Sequence, residues 1–159
     1  MREPEVNIRT ASQYLKHGFT AHLHVMAVHE FVSRTRIFQR HFDQNDENSS
    51  YGRYTPREAH DRSYKVLPES VLAIVNSSLF KTVTLYDQNQ TPIRSFNLPK
   101  PDAGKNVTAV FEKCRDNRHV DIAGILLEID GLLQKAKEHG GIYSDLLELR
   151  ENVRSSQER

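Results

Sequence analysis

The chain has 159 residues, with 22 Lys and Arg against 21 Asp and Glu and a formal net charge of +1. That balance argues against a large electrostatic nucleic-acid interface, and an apolar fraction of 37% argues against a disordered chain. The single cysteine, Cys114, excludes an internal disulfide and a paired-cysteine metal motif.

The N-terminal stretch MREPEVNIRTASQYL carries acids and no apolar run, so no secretory signal is expected. No stretch approaches the length of a membrane span. A reducing, cytoplasmic setting and no membrane partner are the expectations.

The first helix is expected to start between Val6 and Thr10 and to end near Phe42. Leu15, Phe19, Leu23, Met26 and Glu30 lie three or four apart, and Ala27, Phe31, Phe38 and Phe42 continue a neighbouring stripe. Gly18 marks a bend or a break in it. Residues 43–64 are rich in Asn, Asp, Ser and Gly and read as a long polar loop, with a helical turn after Pro56. A loop of that length suits a lid or a partner-binding segment.

Pro68 suits a first helical position and Glu69 the positive end of a helix dipole. Val71, Leu72, Val75, Leu79, Val83 and Tyr86 form the stripe of a helix running to about Leu85. The competing reading is a hairpin over residues 81–96, because KTVTLYDQNQTPIRSF alternates β-branched residues around a turn-like DQNQTP. Residues 94–106 read as a loop. Asn106 is placed as the cap of a helix from Val107, with Val110, Phe111 and Cys114 inward. Asp121 is placed as the cap of a helix through Ile122, Ile125, Leu126, Ile129, Leu132 and Leu133, which the glycines of HGG close. A last helix carries Tyr143, Leu146, Leu147 and Leu149, and residues 155–159 form a frayed tail.

These elements imply an all-α fold: a four- or five-helix bundle with a long first helix and long polar loops, in one domain over residues 1–159.

Three clusters carry candidate chemistry. His22, His24 and His29, with Glu30 or Asp61, are chemically suitable metal ligands, but a seven-residue gap puts two helical side chains about 10 Å apart along the axis. Buried or surface histidines are the reading adopted, with no metal and no cofactor. Arg34, Arg36, Arg40 and His41 are different. Arginine grips phosphate through paired hydrogen bonds, and histidine moves protons near neutral pH. Arg34, Arg36, Arg40 and Arg154 are the phosphate-binding candidates; Arg36, His41 and Arg150 are the catalytic ones, with Asn152 in support. The alternative is a charged solvent face. In CRDNRH, Cys114 reads as a small core residue, while Arg115 and His119 meet if the helix continues.

The last cluster, LRENVR, carries a resemblance. The long first helix, the segment VLAIVNSSLFKTVTLYD, the loop TPIRSFNLPK and a late helix with Arg150 and Asn152 resemble the HEPN superfamily, within it the families linked to abortive phage infection. The resemblance implies a helical ribonuclease whose arginine and histidine form a composite site, commonly across a dimer. No histidine follows Arg150 before Arg159, which implies a degenerate copy or a motif completed elsewhere; Arg36 to His41 has the spacing on a different helix. The expected function is therefore RNA binding or metal-independent RNA cleavage in phage defence, with RNA and a second copy as partners. The alternative is a non-catalytic module for a protein partner: an antitoxin, adaptor or modulator.

Overall fold

Gly18 breaks the expected long helix outright. In the computed structural model, which describes residues 3–48, 54–116, 120–138 and 140–157, helix α1 spans Pro4–Lys16. Gly18 has φ 82° and its N–H donates to the Leu15 carbonyl. Only glycine takes that left-handed conformation cheaply, so the helix ends there. Strand β1, Ala21–Met26, follows. Leu23 and Val25 are buried while His22, His24 and Met26 are exposed, a period of two. The helical stripe of Leu23 and Met26 was a coincidence of spacing. Helix α2, Glu30–Asn48, completes the stretch.

The next correction concerns the polar loop. Helix α3 spans Arg57–Asn76, so residues 43–48 and 57–64 are helical, and only residues 49–56 lie between α2 and α3. Of these, 49–53 lie outside the described residues. Pro68 sits inside α3 rather than at its start. A mid-helix proline cannot donate to the carbonyl four residues back, here that of Tyr64. Arg115 supplies the missing donor: its guanidinium donates to the Tyr64 oxygen at 2.6 Å and lies 3.6 Å from the Tyr64 ring centre.

The helix expected to run to Leu85 ends at Asn76, the end of α3, and a hairpin follows it. Strand β2, Phe80–Tyr86, and strand β3, Pro92–Asn97, pair antiparallel. The Asp87 carboxylate accepts from the N–H groups of Asn89 and Thr91, each at 2.8 Å, and this local acceptor makes the turn. Thr84 and Ser95 bond across the strands at 2.9 Å. β1 pairs parallel with β2, giving a three-stranded sheet in the order β1-β2-β3. The fold is thus α/β and not an all-α bundle.

Helix α4, Ala103–Arg115, starts before the Asn106 expected to cap it. Helix α5, Ile122–Lys135, is capped by Asp121, which accepts from the Gly124 N–H at 2.9 Å. Gly140 opens α6, Gly140–Ser156, rather than closing α5. Among the described residues no helix is long and apolar enough to cross a membrane.

The chain divides into two units. Residues 1–28 and 61–117 form the first, whose core joins Leu23, Val25, Val83 and Leu85 of the sheet to Val71 and Ile74 of α3 and Val107 and Phe111 of α4. Half-buried Cys114 packs against this core, and burial pushes its thiol up. Residues 29–60 and 118–159 form the second, in which α2, α5 and α6 pack on one another around Phe38, Ile129, Leu132, Leu146 and Leu149.

Candidate functional site

The α2 segment SRTRIFQRHF places its basic residues on two faces. Arg34, Phe38 and His41 fall at helical spacing and are buried, Arg34 to 4% and His41 to 5% exposure. Arg36 and Arg40, one turn apart, are exposed. The four residues read together as one cluster therefore do not converge.

The inward set joins a polar network that the sequence did not announce. Arg34 lines a cavity of about 10 Å³ with Phe38, Tyr54, Thr55, Arg57 and His60, room for one water. The Tyr54 hydroxyl donates to the Asp145 carboxylate, Arg57 pairs with Glu148, and His60 lies 3.0 Å from the Ser33 hydroxyl. Burial first, then the Asp145 bond and charge, push the Tyr54 phenol far above its ordinary value, while the Arg34 charge pulls it down. The His41 ring packs edge-on against Phe42 and Tyr54, at 5.4 and 5.9 Å between centres. These groups tie α2, α6 and the start of α3 to one another. The usable signal was TPRE at 55–58, a threonine, proline and glutamate in helix-start order.

The outward set is split again. Arg36 donates to Gln39 and lies 3.5 Å from the Glu128 carboxylate. The Arg40 guanidinium has no hydrogen bond or ion pair with any described residue. On α6, Arg150 donates to Asp130 at 2.6 Å and lies 3.8 Å from Glu151. The Asp130 bond and charge push the Arg150 guanidinium further up. Arg150 thus straps α6 to α5. Asn152 is half-buried, and Arg154 is exposed, its guanidinium without a partner among the described residues.

The histidines separate. His22 lies on β1 and bonds Thr82 at 2.7 Å; His24 stacks on Tyr86 at 5.3 Å; His29 accepts from the Phe31 N–H at 3.2 Å, at the start of α2. Among the described residues no group of three His, Cys, Asp or Glu is placed to hold a metal. Arg115 turns to Tyr64, and His119 lies outside the described residues.

A family model described as Zeta toxin matches residues 1–97, from α1 to the end of β3. The chain belongs to the zeta toxin family. Toxin zeta of Enterococcus hirae is 28% identical over 94 residues, which are 59% of this chain and 33% of that protein. Toxin zeta of Streptococcus pyogenes has the same identity and coverage. The chain spans about a third of the length of these curated relatives.

The match overturns the HEPN resemblance. With it go the readings as an RNA-binding protein, a ribonuclease, an antitoxin, an adaptor or a modulator. Arg-and-His spacing recurs by chance, and Arg150, taken as half of a catalytic pair, is committed to Asp130. The zeta match contains Arg34, Arg36, Arg40 and His41, and excludes Arg150, Asn152 and Arg154.

The family is one of P-loop kinase-like toxins, which poses the question of a nucleotide. A phosphate loop needs GxxxxGK followed by Ser or Thr, so that backbone N–H groups surround the phosphates. The sequence has one Gly–Lys pair, Gly104–Lys105, with Pro99 where the first glycine belongs and Asn106 where the hydroxyl belongs. Gly104 serves packing: a Cβ there would lie 2.8 Å from Leu72 Cδ1 and press on the Asn76 side chain. The residues present do not fit a nucleotide's phosphates.

Proposed function

We propose that this chain is the arginine-bearing part of a kinase-like zeta toxin acting in the cytoplasm, and that Arg40 grips a phosphate of its small-molecule substrate. The family match over residues 1–97 carries the kinase-like class. Arg40 follows by elimination among the five nominated arginines. Arg34 is buried; Arg36 and Arg150 are held by carboxylates; Arg154 lies outside the match. Arg40 is exposed, uncommitted and inside it. A guanidinium needs no proton transfer to act at neutral pH and presents paired donors to phosphate oxygens.

Pyrophosphate is a suitable probe, titrated at low salt because exposed charges are screened. Replacing Arg40→Ala is expected to weaken binding about tenfold, the loss of roughly one charge-assisted contact. Arg40→Lys recovers part of it, and Arg150→Ala changes nothing. Equal affinity of the parent and Arg40→Ala would sink the assignment.

A further inference from the structure

No described residue grips the Arg40 guanidinium. Where that side chain stands is therefore set by the turn of α2 that carries it. The turn is held from its inner side. Phe38 and His41, just before and just after Arg40 in sequence, are 3% and 5% exposed, and residues three apart share a helix face. One ring covers both: the Tyr54 centre lies 5.6 Å from that of Phe38 and 5.9 Å from that of His41. The void beside Phe38 and Tyr54 is only about 10 Å³, so the ring has little room to slide.

The other end of Tyr54 belongs to α6. Asp145 and Glu148, also three apart, turn one face of α6 to the segment that enters α3. Asp145 accepts from the Tyr54 hydroxyl, and Glu148 pairs with Arg57. All of these residues lie in the second unit.

The holds on this part of α2 differ in strength. The Arg36–Glu128 pair, at 3.5 Å, and the Arg57–Glu148 pair both join solvent-exposed side chains, and exposed pairs contribute little. The bond from Tyr54 to Asp145 is partly buried and ends on a charge, which makes it the stronger contact. Burial and the Asp145 carboxylate push the phenol up, so it remains a donor. Asp145 lies outside the residues that the zeta toxin model matches.

We infer that Asp145 is a positioning residue for Arg40: by accepting from Tyr54 it fixes the ring that locks the Phe38–His41 turn of α2. The inference rests on the reading of Arg40 as a phosphate grip for its effect on binding, and on the contacts alone for its effect on α2.

Two readouts on the full chain test it, pyrophosphate binding at low salt and amide hydrogen exchange. Asp145→Leu removes the acceptor. Tyr54→Phe removes the donor and keeps the ring, and it carries the test alone should Asp145→Leu misfold. Each is expected to weaken pyrophosphate binding about fivefold, inside the roughly tenfold assigned to Arg40. The two together are expected to lose no more than either alone, since they break one contact. Asp145→Asn, whose amide oxygen still accepts, is expected to recover most of the loss. In an Arg40→Ala background neither change is expected to alter the binding that remains. Exchange is expected to quicken about tenfold at the amides of residues 38–42 and to stay unchanged in α5. A residue that only stabilised the fold would quicken exchange throughout the unit.

Parental affinity in both variants while Arg40→Ala binds weakly, additive losses, the same fivefold loss without Arg40, or exchange that quickens uniformly or not at all would each overturn the inference. Parental affinity in Arg40→Ala would instead remove the phosphate reading. Exchange then decides the inference by itself: a change confined to residues 38–42 supports it, and any other pattern overturns it.

Discussion

Arg34 and Arg40 sit less than two turns apart on α2 and meet opposite fates. Arg34 is sealed in with Tyr54, Arg57 and His60, and Arg40 reaches solvent with no described partner. Composition and spacing nominate both, because a phosphate-gripping arginine and a core-lining one have the same side chain. What separates them is the rotation of the helix against α5 and α6, and that is decided by residues far along the chain. The inward set has its own testable consequence. The Tyr54 phenol is raised by burial and by Asp145, so its neutral form is favoured in the folded state. Its contribution to stability is complete below the ordinary phenol value of 10.0 and is lost as pH rises beyond it. Denaturant titrations at pH 8 and 10.5 are expected to show a larger loss for the parent than for Tyr54→Phe. Equal losses would mean that Tyr54 ionises as freely as in the unfolded chain.

Among the elements, Pro68 and Arg115 show how a local rule is overridden by a distant partner. The proline leaves the Tyr64 carbonyl without its helical donor, and Arg115, from α4, replaces it while stacking on the same tyrosine. Arg115→Ala removes a charge-assisted bond to the Tyr64 carbonyl and the stacking on its ring, so it is expected to cost about 1–3 kcal/mol. In a Pro68→Ala background the helical N–H returns and the cost falls, a coupling that a double-mutant cycle in urea measures. Additive costs would show that the two residues act separately. Legibility at this scale followed the strength of local signals. Asp121 capped α5 as its side-chain chemistry required. Gly18 was visible as a break, though not what followed it. β1 was missed because Leu23, Met26 and Glu30 satisfy helical spacing while Leu23 and Val25 also satisfy alternation. The hairpin was visible as an alternative in the alternating Thr82, Val83 and Thr84 and in the turn at Asp87. It prevails because β1, distant in sequence, gives β2 a partner on its second edge.

For the whole molecule, the sheet-bearing unit and the helical unit answer to different sequence evidence. The helical unit's apolar stripes were plain, and they led to an all-α reading of a chain whose first unit is organised by a sheet. The kinase-like class was not legible at all, since the motif that would announce it, a phosphate loop, is absent from these residues. The candidate site was legible only in part. Arg40 was named with its neighbours, and its selection needed the partners of Arg34, Arg36 and Arg150, which only packing supplies. The most direct test follows the arginine side-chain Nε–H resonances of the full chain as pyrophosphate is added. The account predicts a saturable shift at Arg40, with Arg34 and Arg150 held by their surroundings and unmoved. A shift centred on Arg150 or Arg154, or none at Arg40, would contradict it.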